Sequence, residues 1–347
     1  MVQSMSFLAA TLRLLPPEPA HRASLSLLKL GGRFLPAAPG DDPRLAVTLF
    51  GRLFPNPVGL AAGYDKDGEV PEAMLKFGFE CGTLTPRPQA GNPRPRLFRL
   101  SEDGAVINRM GFNNGGMVRA AAKLSRRKRA GIVGINIGAN KDSADRMADY
   151  RECFVRLAPL ADFITINISS PNTPGLRGLQ NRDELERLLG LITDTRAQMS
   201  AAVPLLLKIA PDLDSHALDD IAAVTLASGI EGLIVSNTTL ARPASLKSPQ
   251  AVEAGGLSGV PLFAPSTAIL KAMRQRVGDA LPLIGAGGVS SGEEAYAKLR
   301  AGASLVQLYT ALVYQGPGLV RRIKRELLAC LNRDGIARVA DIVGVDA

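Results

Sequence analysis

Asparagines, lysines, hydroxyls and glycines gather at one kind of place in this chain, directly after short apolar runs rich in β-forming residues. The first run leads into Ala61-Ala62-Gly63-Tyr64-Asp65-Lys66 and the second into Thr85. The third ends in Asn136, the fourth in Asn167-Ile168-Ser169-Ser170-Pro171-Asn172, and the fifth carries Lys208. Ser236-Asn237-Thr238 follow the sixth, Gly285-Ala286-Gly287-Gly288 the seventh, and Tyr309-Thr310 the eighth. A lone asparagine is usually a turn former, but amides and ammonium groups repeated at the same end of successive strands describe a polar site. The glycine N–H groups after the seventh run, with the N–H groups and hydroxyl of Tyr309 and Thr310, suit a phosphate. No paired carboxylates, Cys/His dyad or Ser-His-Asp set occurs there, so hydrolysis lacks its parts. Cys81, Cys153 and Cys330 are far apart, and with only His21 and His216 beside them there is no metal-ligand spacing. Such a wall suits a cofactor that carries the hard chemistry itself. Flavin mononucleotide (FMN) fits, with its phosphate at the glycines and Lys208 near the pyrimidine end of the ring, stabilising the reduced anion. A buried lysine on a strand needs such a partner.

These groups require a scaffold that brings eight strand ends to one face. The runs at 58–60, 81–84, 131–136, 163–168, 204–209, 232–236, 281–285 and 305–309 are nearly continuous in apolar residues, as expected of strands buried on both faces of a parallel sheet. Helical patterns alternate with them, at 115–129, 182–200, 215–228, 263–277 and 292–301. Eight such units predict an α/β fold, a (β/α)8 TIM barrel, with its site at the C-terminal ends of the strands. No G-x-G-x-x-G follows an early strand and no Walker A sequence occurs. A barrel of this kind takes about 250 residues, so the 347 leave a surplus. The surplus falls in an N-terminal extension (1–40), a small hairpin at 46–54 closing the barrel bottom, an excursion at 85–111 with short strands near 97–100 and 105–108, and a long loop at 237–259. The expected division is a helical extension at 1–40 and a catalytic barrel at 41–347.

With Lys+Arg 41 and Asp+Glu 32, the net charge of +9 calls for anionic partners. The distant, odd-numbered cysteines predict a reducing compartment. No segment reaches the roughly 18–20 apolar residues of a membrane span. Residues 6–15 are apolar but short, and Pro16 and Pro17 end the stretch. A second short helix is expected at 19–30, with Leu25 and Leu28 on one face and His21, Arg22 and Lys29 polar. Such a pair either caps a neighbouring core or rests in a membrane interface.

Asn167-Ile168-Ser169-Ser170-Pro171-Asn172-Thr173-Pro174-Gly175 resembles the catalytic-loop signature of dihydroorotate dehydrogenases. So do Ala61 to Lys66 followed by Asp67-Gly68, the Thr85-Pro86-Arg87-Pro88-Gln89 loop, Asn108-Arg109-Met110-Gly111-Phe112-Asn113, and Ile284-Gly285-Ala286-Gly287-Gly288. The likeness runs from about residue 21 to about residue 318. A serine at Ser170, where soluble classes place a cysteine, and the N-terminal extension both resemble the membrane-associated, quinone-reducing class. The resemblance implies FMN held by Ala61, Ala62, Gly63, Tyr64, Asp65, Thr85, Asn136, Asn167, Lys208, Ser236, Gly259, Gly288, Tyr309 and Thr310. It implies dihydroorotate held by Lys66, Asn108, Arg109, Met110, Gly111, Phe112, Asn167, Asn172, Asn237 and Thr238, with Ser170 as catalytic base. Asparagine offers both donor and acceptor to the ring amides of such a substrate, and Lys66 offers a cation to its carboxylate. The implied reaction is oxidation of dihydroorotate to orotate in pyrimidine (UMP) biosynthesis, losing a proton from C5 to Ser170 and a hydride from C6 to the flavin, with Thr173 and water as relay. A membrane quinone then takes the electrons through a tunnel marked by Ala20-His21-Arg22, Arg99 and Tyr309.

Three rivals remain at this level. A soluble fumarate- or NAD-linked dehydrogenase is opposed by Ser170 and the extension. A flavin-dependent RNA dihydrouridine synthase would want a catalytic cysteine and a C-terminal RNA-binding domain. A non-catalytic phosphate-binding barrel would carry no flavin. The basic runs Arg126-Arg127-Lys128-Arg129 and Arg321-Arg322-Ile323-Lys324-Arg325 are expected on outer helices as solvated faces, without nucleic acid. The expected setting is the cytoplasmic side of a cell inner membrane, peripherally attached, with no metal.

Overall fold

A computed structural model describes residues 11–32, 40–75, 79–199 and 202–347. The expected first helix at 6–15 lies outside the described residues up to position 10. The second forms as α1 (Pro17–Gly31), opening on prolines whose missing N–H costs a helix start nothing. Leu25 and Leu28 pack on the barrel while Leu27 and Leu30 stay exposed. Strands β1 (Val47–Leu49) and β2 (Arg52–Phe54) make the expected antiparallel hairpin.

The barrel closes through β3 (Val58–Leu60), β4 (Phe79–Leu84), β7 (Val133–Ile137), β8 (Phe163–Asn167), β9 (Leu205–Ile209), β10 (Gly232–Val235), β12 (Leu283–Ala286) and β13 (Ala303–Leu308), all parallel in that order round the ring. Strand periodicity sorts its side chains. Ile164, Ile166, Leu205, Leu207, Leu233 and Val235 pack in the cluster that includes the surrounding helices. Phe163, Leu206, Ile234 and Ile284 join Leu45 and Val47 from the hairpin region in a second cluster. Nearer the strand ends Glu80, Asn136, Thr165, Lys208 and Gln307 are buried polar groups within the barrel. Asn136 Nδ2 donates to Glu80 Oε1 at 2.8 Å, and Gln307 donates to the other carboxylate oxygen.

After the short α2 (Pro71–Met74), the outer helices include α3 (Met117–Leu124), α4 (Arg146–Leu157), α5 (Arg182–Gln198), α6 (Ser215–Ser228), α7 (Phe263–Val277), α8 (Gly292–Arg300) and α10 (Gly318–Asp334), the last preceded by the short α9 (Thr310–Gln315). Side chains of Asp145, Asp214 and Ser291 cap three of them by accepting backbone N–H groups of the first turn.

Two expectations need correcting. The pattern at 115–129 yields a helix only from Met117 to Leu124, so Arg126–Arg129 is not on a helix. Nor is Arg127 solvated: its guanidinium is buried and donates to Asp162 at 2.7 Å and to the carbonyls of Leu160 and Gly131. The region 237–259 contains a strand, β11 (Gly256–Gly259), which pairs antiparallel with β6 (Ala105–Asn108), itself paired with β5 (Leu97–Leu100). With glycine at both ends β11 has no alternation to read, and its pairing with β6 defines it. Arg321–Arg325 does lie on α10, where Ile323 is buried.

Candidate active site

The strand ends and the small β5–β6–β11 sheet enclose one cavity of about 670 Å³ that reaches from α1 to the barrel interior. That size suits a cofactor with a small substrate. Ala61, Ala62, Gly63, Tyr64 and Lys66 line it after β3, and Asn167, Ser170 and Asn172 after β8. Lys208 enters from β9, Ser236, Asn237 and Thr238 from β10, Gly288 from β12, and Tyr309 and Thr310 from β13. Asn108, Met110, Gly111, Phe112 and Gly259 line it from the small sheet and the loop after β6, and His21 and Arg99 from the α1 end.

Four expected residues do not line it. The buried Asp65 carboxylate turns into its own loop and accepts N–H groups of Asp67, Glu69 and Val70 at 3.2, 2.9 and 2.8 Å. Thr85 donates to the Arg87 carbonyl at 2.8 Å and accepts from Asn114 at 2.9 Å, bracing the loop behind the wall. Arg109 lies over the Phe98 ring and pairs with Glu253 at 2.7 Å. Asn136 lies one layer below the wall. At this strand the threonine that lines the cavity is Thr83, on β4 itself, donating to Asn136 Oδ1 at 2.6 Å and accepting from Asn167 Nδ2 at 3.0 Å. Its place near the end of the strand is the signal by which the sequence could have found it.

From Thr83 and Asn136 a polar chain continues outward. Asn167 Oδ1 accepts from Ser169 Oγ at 2.9 Å, and Ser169 accepts from Asn237 Nδ2 at 2.9 Å. Tyr150, buried behind the loop, donates to the Asn167 carbonyl at 2.7 Å and fixes the loop's start. Ser170 is buried and its Oγ accepts the Asn172 N–H at 3.2 Å. Asn172 Nδ2 meets Asn108 Oδ1 at 3.3 Å, so the loop after β8 and the end of β6 share one wall. The Thr173 Oγ1 and Asn113 Oδ1 atoms are buried without a partner among the described residues.

The charges are all cationic at the wall. Lys66 donates to the Gly63 carbonyl, and burial, opposed by Asp65 and Asp67, pulls its ammonium down to about 8. Burial also lowers Lys208, with Glu80 opposing, and this ammonium has no hydrogen-bond partner among the described residues. Towards α1 the wall is aromatic: His21 meets Tyr64 edge-on at 5.1 Å, and Tyr64 meets Tyr309 edge-on at 6.1 Å. Burial, with Lys66 adding to it, holds His21 down at about 3, so its imidazole is neutral at physiological pH. Tyr64 Oη and Ser24 Oγ are 2.9 Å apart, joining α1 to the wall. Arg99 donates to the carbonyls of Arg13 and Leu15, tying the chain ahead of α1 to β5. Glu18 pairs with Arg94 and Arg96 at 2.8 Å each; despite burial, these two hold its carboxyl down at about 2. Among the described residues no cluster could hold a metal ion and no helix is long and apolar enough to cross a membrane.

Comparison with known proteins agrees with this geometry. Residues 44–331 match the model of a family described as dihydroorotate dehydrogenase. A protein of Rhodospirillum rubrum named dihydroorotate dehydrogenase (quinone) is 54% identical over 340 residues, covering 96% of this chain and 92% of its own. One of the same name from Xanthobacter autotrophicus is 55% identical, covering 96% of each chain. Among solved structures, ligand-free DHODH of Eimeria tenella superposes with a TM-score of 0.90 at 43% identity, covering 95% of this chain and 99% of that one. The same protein in complex with ferulenol gives 0.89 at 42%, covering 95% and 96%.

Proposed function

The chain belongs to the dihydroorotate dehydrogenase family, and from that premise we propose that it oxidises dihydroorotate to orotate with FMN and passes the electrons to a membrane quinone. The observation that carries the reading is the single cavity with two unlike ends. One end is walled by amides, Lys66 and Ser170, and the other by His21, Tyr64, Tyr309 and α1.

The donor set fits FMN. A flavin phosphate suits the N–H groups of Gly288, Tyr309 and Thr310, and the unpartnered Lys208 ammonium suits the pyrimidine edge of the ring, where reduced flavin carries its negative charge. When bound, FMN supplies a two-electron acceptor for hydride. The protein's own residues do the rest. Lys66 holds the substrate carboxylate, and Asn108, Asn172 and Asn237 present donors and acceptors to the ring amides. Ser170 accepts the C5 proton. A serine hydroxyl is a weak base at neutral pH, so it needs a path for its own proton, and Thr173, buried and unpartnered three residues on, offers the next oxygen. The neutral His21 and the tyrosine edges keep the α1 end apolar enough for a quinone ring. The exposed Leu14, Leu15, Leu27 and Leu30 around α1 give this end an apolar outer surface. In a protein of net charge +9, that surface suits peripheral attachment to an anionic membrane face. The setting is the cytoplasmic side of the inner membrane.

Anaerobic titration with dihydroorotate, followed by parallel reoxidation with quinone, fumarate and NAD⁺, tests the assignment. Bleaching of a flavin spectrum by dihydroorotate and rapid recovery only with quinone are expected. Recovery with fumarate or NAD⁺ would replace the quinone reading by the soluble one.

A further inference from the structure

We propose that Lys298 is a positioning residue for the flavin phosphate, acting from behind the glycine turn through Ser266; this rests on the flavin reading above. Lys298, on α8, is fully buried yet outside the cavity wall. Its stem packs on Gly285, where an added Cβ would lie 3.3 Å from Lys298 Cδ. Its ammonium donates to Ser266 Oγ at 2.7 Å and lies 5.5 Å from the centre of the Phe263 ring. Ser266, on α7, therefore accepts a hydrogen bond from Lys298 and has its own hydroxyl hydrogen to donate. Its Oγ lies 3.1 Å from the Gly287 carbonyl oxygen and 3.1 Å from that of Phe263.

The link to the phosphate end is covalent geometry. The carbonyl of Gly287 and the N–H of Gly288 belong to one planar trans peptide and point in opposite directions. Holding that carbonyl back against Ser266 sends the Gly288 N–H the other way, and Gly288 lines the cavity. The loop has no slack against α7, because a Cβ on Gly288 would come within 2.4 Å of the Phe263 backbone. Lys298, Ser266 and the Gly287–Gly288 peptide thus move as one unit.

Electrostatics point the same way. Of the other cations on the cavity wall, Lys208 is taken by the pyrimidine edge of the ring on the reading above, and Lys66, Arg13 and Arg99 are engaged by the carbonyls of Gly63, Tyr314, and Arg13 with Leu15. Arg322 is engaged by Ser290, Gln315 and Glu326. Glu294, the carboxylate nearest in influence to Lys298, accepts from the Ser290 N–H and hydroxyl at 2.6 and 2.7 Å. Burial pulls the Lys298 ammonium down to about 7. A buried cation whose only hydrogen-bond acceptor among the described residues is a neutral hydroxyl is costly to keep, and a phosphate in front of the turn offsets that cost.

The test compares FMN with riboflavin, which lacks the phosphate. Holoenzyme, Lys298→Met and Ser266→Ala are stripped of flavin by dialysis and titrated with each by fluorescence quenching. Lys298→Met keeps the apolar stem and removes the charge; Ser266→Ala keeps the charge and removes the connection. In Lys298→Met, FMN affinity is expected to fall about tenfold or more while riboflavin affinity stays within about twofold. Ser266→Ala should shift the ratio in the same sense by a smaller factor. An FMN-to-riboflavin ratio unchanged from wild type, or both affinities falling in step, overturns the proposal. If Lys298→Met does not fold, the Ser266→Ala ratio decides. Wild-type protein that binds no FMN would instead overturn the flavin reading itself.

Discussion

Ser170 shows what a single hydroxyl gains from its surroundings. Its Oγ accepts the Asn172 N–H at 3.2 Å, which anchors the oxygen in the cavity wall and leaves its proton to be passed on. Ser170→Ala should slow flavin reduction by dihydroorotate by about 10²–10⁴-fold while FMN stays bound. Unchanged reduction in stopped flow would remove Ser170 from the base role. Lys66 gives a pH signature whose sign follows from its charge. The ammonium, pulled down to about 8 by burial, is cationic below that pH and neutral above it. KM for the anionic substrate should therefore rise above pH ~8, by about tenfold per pH unit, while Lys66→Met raises KM throughout and removes the limb. A wild-type KM flat to pH 10 would show that Lys66 does not hold the carboxylate. Most wall residues were legible because the chemistry of a strand end shows in its side chain. Thr83 was not, since the motif points to Thr85, two residues on, and only the course of β4 decides that Thr83 faces in. Asp65 and Arg109 carry charges that read as ligand contacts, yet the fold uses them on its own loops.

At the scale of elements, sequence pattern succeeds where burial is repetitive and fails where it is not. The helices at Ser215–Ser228 and Phe263–Val277 match their expected bounds, because a two-sided environment imprints a 3.6-residue period. In the basic run after α3, Arg126, Lys128 and Arg129 are exposed as expected, but Arg127 was misread, because charge density says nothing of direction. Arg127 folds inward onto Asp162, which also accepts the Val133 N–H at 2.9 Å and pairs with Arg52 at 3.1 Å. Arg127→Ala should take the buried cation from that carboxylate, leaving it Arg52 and the Val133 N–H, and destabilise the protein by about 1–3 kcal/mol, measured by denaturant unfolding followed by circular dichroism; a loss below about 0.5 kcal/mol, the range of ordinary surface substitutions, would show the pair to be dispensable. The amphipathic α1 was legible from Leu25 and Leu28, but not its attachment, which is made by Glu18 with Arg94 and Arg96. Its outer leucines carry a separate prediction. Leu27→Glu with Leu30→Glu should sharply reduce co-sedimentation with anionic vesicles and leave dihydroorotate-driven flavin reduction intact. Equal sedimentation of variant and wild type would remove this face of α1 from the membrane contact.

For the whole molecule, eight apolar runs were enough to read the barrel, and Asn136 and Lys208 stood out in them, but the polar layer that these two form with Glu80, Thr165 and Gln307 did not. Glu80, Asn136, Thr165, Lys208 and Gln307 occur singly among hydrophobic neighbours, so each strand reads as apolar although one of its faces is not. Lys208 and Gln307 of that layer reach the cavity, the small sheet forms one side, and α1 closes the other. On the proposed reading the two substrates meet the flavin from chemically opposite ends of the cavity, so the half-reactions are separated in space. Deleting residues 1–40 tests this separation. The deletion removes His21 and Ser24 from Tyr64 and frees Arg94 and Arg96 from Glu18, but it leaves Ser170, Lys66 and the asparagine wall untouched. Reduction by dihydroorotate should persist, as should reoxidation by a small soluble acceptor. Reoxidation by a long-chain quinone should fall about a hundredfold or more, because its ring loses the surface that orients it beside Tyr309. A truncated protein still turning over long-chain quinone at the full rate would show that electrons leave by another face of the barrel.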